Sequence, residues 1–338
     1  MNRRIMKGMK KKLNKGIVTA LLLCFVLLIS ACNVNMQNGT KKSGIRVVTT
    51  IFPEYDWVIS ILGENPGNIE VEMLLDNGVD LHSYQPTAED IVKISDCDMF
   101  IYVGGESDEW VEDVLKEAAN KDMVVINMLE VLGNDVKAEE IVEGMEHEHE
   151  EGEEHEEDEE EMDEHVWLSL RHAARECDAI ANGLKQIDPA NADTYQANLE
   201  DYKESLNALD EEYAAVVEAS ENKTVVFGDR FPFRYLADDY DLTYYAAFAG
   251  CSAETEASFK TILFLAEKTN EYELPVILTI EGSDERIAGS VRENTKEKNQ
   301  EIMTLDSMQS VTGADVAAGA KYVDIMQKNL EVLKKALK

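Results

Sequence analysis

Four of the chain's six histidines, His147, His149, His155 and His165, fall in residues 139–170 among seventeen Asp and Glu and no Lys or Arg. Neutral imidazole is a common ligand for zinc, and a dense carboxylate field raises the local concentration of any cation. Between Met145 and Met162 almost nothing is apolar, so this segment cannot bury a core and is expected to be a mobile loop. It stops at DEHVWL, residues 163–168, where apolar side chains return. The pattern implies a metal-collecting loop, 139–164, leading to a fixed ligand, His165. The competing reading is a solvating acidic loop with incidental histidines. His82 stands apart, between a strand pattern and a helix pattern, where α/β sheets usually place their ligands. The polar turn before it and Pro86 after it would hold the imidazole in one orientation.

The elements around these histidines alternate. Strand patterns at 45–52, 69–75, 99–103 and 123–128 are separated by helical patterns at 53–61, 88–95 and 109–119, with Thr87 placed as an N-cap. A helix is expected over 167–187. Tyr195, Leu199, Tyr202, Leu206, Leu209, Tyr213 and Val216 then recur at alternating fours and threes, which specifies one helix over 191–219. At 1.5 Å per residue it would be roughly 40 Å long. Alternation resumes with strands at 224–228, 242–248, 275–280 and 301–306 and helices at 231–239, 254–268, 284–295 and 314–337. The fold class is therefore α/β: two similar lobes, each a mostly parallel sheet wrapped by helices, joined by a long rigid helix.

The N-terminus reads as an address. Seven basic residues precede an apolar run of fifteen, 16–30, which is short for a membrane span and typical of a signal-peptide core. The run ends in Ile29, Ser30, Ala31 and Cys32, an arrangement that resembles the lipobox of bacterial lipoproteins, in which Cys32 is lipidated and becomes the mature N-terminus. The expected organisation is a signal peptide at 1–31, a lipid-anchored tether at 32–44, an N-terminal lobe at 45–190 with the loop 139–164, a linking helix at 191–219, and a C-terminal lobe at 220–338. Such a chain would sit at the outer face of the bacterial cytoplasmic membrane, anchored through Cys32. Removing 1–31 takes away seven basic and no acidic side chains and carries the formal net charge from −36 to −43. That charge repels phosphate backbones and excludes nucleic acid as a partner. Cys97, Cys177 and Cys251 show no CxxC spacing and read as small structural residues, with a Cys–Cys bond unsupported.

Two motifs carry a more specific resemblance. DLHSYQPT at 80–87, followed by Glu89 and Asp90, resembles the first-ligand motif of the zinc and manganese solute-binding lipoproteins of ABC importers. DEHVWL is similar to that family's second-ligand motif, which follows a variable loop that is His-rich in the zinc importers. The likeness runs in order through the whole mature chain, from VVTTIFPEYDW to the C-terminal lobe. It implies His82 and His165 as metal ligands. At the family's third ligand position this chain has Arg230, which has no lone pair to offer a metal. Either Asp229 takes the role by a one-residue shift, or a ligand has been lost. Asp229 reads equally as a turn residue or cap for a helix starting at Phe231. For the fourth position Asp284 is expected, with Glu281 the alternative, and either could instead cap the helix that begins there.

The function so implied is capture of Zn(II) between the lobes and delivery to the membrane permease of an ABC importer, by a protein expected to be a monomer and no enzyme. Mn(II) is the alternative cargo, since two imidazoles with one or two carboxylates suit either ion, although the His-rich loop and the affinity order favour zinc. A zinc-dependent hydrolase is a more distant alternative, because no HExxH string is present. A surface metal buffer or adhesin would overlap the first reading.

Overall fold

The computed structural model describes residues 44–64, 67–145, 161–252 and 256–338. The signal, tether, Cys32 and loop histidines His147, His149 and His155 lie outside them. Among the described residues, eight strands form two four-stranded sheets in which all pairings are parallel. The first contains β1 (Ile45–Thr49), β2 (Ile69–Met73), β3 (Met99–Tyr102) and β4 (Val124–Asn127), in the order β2-β1-β3-β4. The second repeats the plan with β5 (Thr224–Phe231), β6 (Thr243–Ala249), β7 (Val276–Thr279) and β8 (Glu301–Thr304), in the order β6-β5-β7-β8.

Parallel neighbours require crossover connections. Helices Phe52–Leu62, Ala88–Asp96 and Trp110–Glu117 supply them in the first lobe, and Arg234–Tyr240, Phe259–Glu271 and Arg286–Asn294 in the second. Thr87 caps its helix as its sequence position suggests: its side chain accepts from Asp90 N, while Asp90 accepts from Thr87 N at 2.9 Å. The two-lobe α/β architecture is the expected one.

The long helix spans Ala192–Ala219 and buries Tyr195, Leu199, Leu206, Leu209, Tyr213 and Val217. Val217 takes the buried place expected of Val216, because a straight helix at 3.6 residues per turn drifts from a strict three-four repeat. Its side chains hold both lobes. Asn198 Nδ2 donates to Ile61 O at 2.9 Å, and Tyr213 Oη donates to Met326 O at 2.7 Å. One contiguous apolar cluster runs from the first lobe past this helix to Phe227, Leu278 and Tyr322 in the second. A smaller cluster, including Val226, Phe248, Leu265 and Ile277, fills the other face of the second sheet.

Several boundaries differ from expectation: the first strand ends at Thr49 rather than residue 52, and the helix expected over 254–268 runs Phe259–Glu271. β5 continues through Asp229 and Arg230 to Phe231, with a register shift between Phe227 and Arg230, and the next helix starts only at Arg234. The helix after β7 begins at Arg286 rather than residue 284. The closing helix is broken into Gly313–Ala317 and Tyr322–Ala336, because Gly319 is a poor interior helix residue and the chain turns there.

The first lobe also buries carboxyls without compensating cations. Burial, helped by the charge of Asp108, raises Glu54 to about 8. Burial and the charge of Glu54 raise Glu176 to about 9 against the weaker pull of Arg175, and neither Glu176 oxygen has a hydrogen-bond partner among the described residues. Such a group is neutral when folded and ionised when unfolded, so it subtracts from stability as pH rises from 4.5 towards about 9. Glu176→Met, similar in volume and uncharged, should raise the melting temperature of the metal-free protein by a margin that grows from about pH 5 to about pH 8. Calorimetry of the two proteins at both pH values checks this; equal margins would mean that Glu176 is already ionised in the fold.

Candidate metal centre

The carboxyl ends of both sheets face one cleft, and the loops leaving them carry the site. After β2, Asp80 caps a single helical turn, Leu81–Ser83, by accepting from His82 N at 3.0 Å. This fixes the backbone of His82. The imidazole is held by Ser107, from the loop after β3, whose Oγ lies 2.8 Å from Nδ1. Glu164 Oε2 stands 3.3 Å from the same nitrogen.

His165 is fully buried. Its Nδ1 lies 3.0 Å from Asp163 Oδ1, which also accepts from His165 N at 2.9 Å. Burial alone would lower the pKa of His165, but Asp163, Glu164 and Asp80 together raise it. The motif is braced from the second lobe. Tyr235 Oη donates to Asp163 O at 2.8 Å, Trp167 Nε1 donates to Ser307 O at 2.8 Å, and Tyr322 Oη donates to Trp167 O at 2.6 Å.

The two rings meet Nε2 to Nε2 at 3.1 Å. With each Nδ1–H turned toward a carboxylate or hydroxyl, both Nε2 lone pairs point at the same space, an arrangement that a cation between them relieves. Two nitrogens on a tetrahedral zinc, each 2.0–2.1 Å from it, lie about 3.3 Å apart. The observed spacing is close to that value, so the donor pair fits the ion.

Asp163 and Glu164 therefore each stand behind a different histidine, one behind His165 and one behind His82. Glu164 Oε1 also accepts from Ser107 N at 2.8 Å. That approach depends on Gly105, at φ 79°, where a Cβ would lie 2.3 Å from Glu164 Oε1. Burial raises the pKa of Glu164, but hydrogen bonds from His82 and Ser107 lower it more.

The other expected ligands are placed differently. Among the described residues, the donor atoms of His82, His165 and Cys251 lie within 4.8 Å of one another, and neither Asp229 nor Asp284 belongs to that group. Asp229 does not cap a helix, since β5 runs through it; its Oδ1 accepts from Arg230 N at 2.9 Å. Asp284 is exposed and folds back onto Arg286. Glu281 accepts from Ser307 N, Ser307 Oγ and Gln309 N at 2.7–2.9 Å, so it ties the loop after β7 to the loop after β8. Arg230 pairs with Asp80 at 2.7 Å, and this pair holds the Asp80 carboxyl low against the opposing effect of burial.

Cys251, expected to be structural, lies beside the histidines, and no disulfide forms among the described cysteines. Its sequence signal was weak: one cysteine after a glycine, far from any other. Burial pushes its thiol up, and the charges of Glu139, Asp163 and Glu164 push the same way. His82, Glu164 and Cys251 open onto a cavity of about 500 Å³ also lined by Glu106, Glu109 and Glu161. Glu161 ends the acidic run, and burial together with Glu106 and Glu139 raises its pKa. The described stems of the run pair with each other, with Glu139 N donating to Glu161 O at 2.8 Å.

Residues 47–336 match the model of a family described as ZnuA, zinc-uptake complex component A, periplasmic. The chain belongs to that family, whose members are solute-binding transport proteins. It is 31% identical over 318 residues to the high-affinity zinc uptake system protein ZnuA of Bacillus subtilis, covering 93% of this chain and 95% of that one. It is 29% identical over 331 residues to the zinc-binding protein AdcA of Streptococcus pyogenes serotype M6, covering 96% of this chain but only 61% of AdcA. The Zn(II)-bound ZnuA-like domain of Streptococcus pneumoniae AdcA superposes with a TM-score of 0.67 at 27% identity, over 87% of this chain and 99% of that domain.

The carboxylates behind the imidazoles yield a test. Asp163→Asn removes the charge that orients His165 and strengthens it as a donor, and should weaken zinc binding roughly 10–100-fold. Competition against a chelator of known affinity measures this; an unchanged affinity would show that Asp163 does no more than fold the loop.

Proposed function

We propose that this chain is an extracytoplasmic lipoprotein that captures Zn(II) between its two lobes and delivers it to the permease of an ABC importer. The observation that carries the reading is the carboxylate-backed pair of imidazoles, His82 and His165, facing each other at zinc-like spacing. Membership of a zinc-uptake family supports it. The working form would be the monomer after removal of residues 1–31, anchored through Cys32.

The protein would act by binding, as a member of a solute-binding transport family: the cleft brings donor atoms together as ligands, and Asp163 and Glu164 stand behind the rings. Zinc is favoured over manganese because the converging donors are nitrogen and sulfur rather than several oxygens. The acidic loop would gather zinc weakly and pass it to the site. Its described end supports this role, because Glu161 lines the cavity onto which His82 opens.

Titration of the purified protein with zinc and manganese, with bound metal counted by native mass spectrometry, tests the assignment. One tightly held zinc that is lost on either His82→Ala or His165→Ala is expected. Tight manganese with weak zinc would transfer the function to manganese, and no tight metal would remove it. Replacing His147, His149 and His155 together with alanine should leave the equilibrium affinity of that one site unchanged and slow zinc acquisition at limiting metal, as followed by stopped-flow competition.

A further inference from the structure

We propose that Cys251 supplies the third protein ligand, so that the captured ion is held by Nε2 of His82, Nε2 of His165 and Sγ of Cys251. The proposal deepens the zinc-capture reading and rests on it. Three features carry it. The first is convergence, since a ring nitrogen of each histidine and Sγ of Cys251 lie within 4.8 Å of one another. On tetrahedral zinc, with Zn–N near 2.0–2.1 Å and Zn–S near 2.3 Å, such atoms sit about 3.3–3.6 Å apart. The two nitrogens already stand 3.1 Å apart, so only the sulfur must close in, by about 1.2 Å at most, within reach of a side-chain rotation.

The second feature is a loop built to deliver the sulfur. Cys251 follows β6 directly after Gly250, and a Cβ at Gly250 would stand 3.0 Å from both His165 Cε1 and Phe231 O. The absence of that side chain lets the loop lie against the imidazole. Cys251 N then donates to Glu139 Oε1 at 2.8 Å, which ties the loop to a segment 112 residues earlier in the chain.

The third is the placement of the alternatives. Arg230 cannot ligate and is paired with Asp80. Glu281 is committed to Ser307 and Gln309, and Asp284 to Arg286. Asp229 Oδ2 has no hydrogen-bond partner among the described residues, but Asp229 lines a different cavity, of about 560 Å³, with Arg230, Glu281 and Asp284, and stands outside the group formed by the two histidines and Cys251. Ligation forms a Zn–S bond and breaks the S–H bond, and the thiol proton leaves to solvent, one for each zinc bound. A thiolate in the site selects against manganese, which prefers oxygen donors.

X-ray absorption at the zinc edge, on the full chain loaded with one equivalent of zinc, reads the ligand atoms directly. The expected result is one sulfur at about 2.3 Å beside two imidazole nitrogens at about 2.0 Å. Cys251→Ser should lose the sulfur, keep the imidazoles and bind zinc roughly tenfold or more weaker, since loss of an outer-shell partner alone costs 10–100-fold. Cobalt(II) substitution provides a second readout, a sulfur-to-metal charge-transfer band present in the unaltered chain and absent from Cys251→Ser. Tight zinc with imidazole and oxygen only, or a sulfur that persists in Cys251→Ser, would overturn the proposal and leave zinc capture standing. Absence of tight zinc from the unaltered chain would overturn both.

Discussion

The structure depends on holding two imidazole nitrogens against each other. Nε2 of His82 and Nε2 of His165 face across 3.1 Å, an electrostatically poor contact unless a cation or a proton lies between them. Each ring is prevented from turning away by a polar group behind its Nδ1: Asp163 for His165, Ser107 and Glu164 for His82. The consecutive acids Asp163 and Glu164 diverge to serve histidines 83 residues apart in the chain. This is why the segment is buried and braced although it follows directly on a strongly acidic run.

The bracing comes from the other lobe. Tyr235, Ser307 and Tyr322 bind the backbone or the indole of the 163–168 motif, and Arg230 reaches across to Asp80 beside His82. With the long helix Ala192–Ala219 packed against both lobes, and one apolar cluster passing between them, a wide hinge opening would break many buried contacts at once. Local rearrangement of the loops at the sheet ends, together with small tilts, is the less costly route for an ion to enter and leave.

Arg230 gives the site its individual character. A guanidinium where a ligand is expected places a fixed positive charge beside a cation site, and Asp80 neutralises it at 2.7 Å. The same carboxylate holds the backbone of His82. One residue therefore both shapes the first ligand loop and cancels the charge that would otherwise oppose binding.

Much was legible before any coordinates. Strand and helix alternation reports local periodicity, and it determined the lobes and the long helix. His82 and His165 stood out because each lies in a short motif whose neighbour, Asp80 for one and Asp163 for the other, is also its support. What sequence could not supply was the set of long-range partners. Asp229, Asp284 and Glu281 are carboxylates of the right type in the right loops, and only the path of β5, the late start of the helix at Arg286 and the loop after β8 decide where their oxygens go. Cys251 was unreadable for the same reason. Its place beside His165 follows from Gly250 at the end of β6 and from Glu139, more than a hundred residues earlier, which meet only when both sheets turn their carboxyl ends to one cleft.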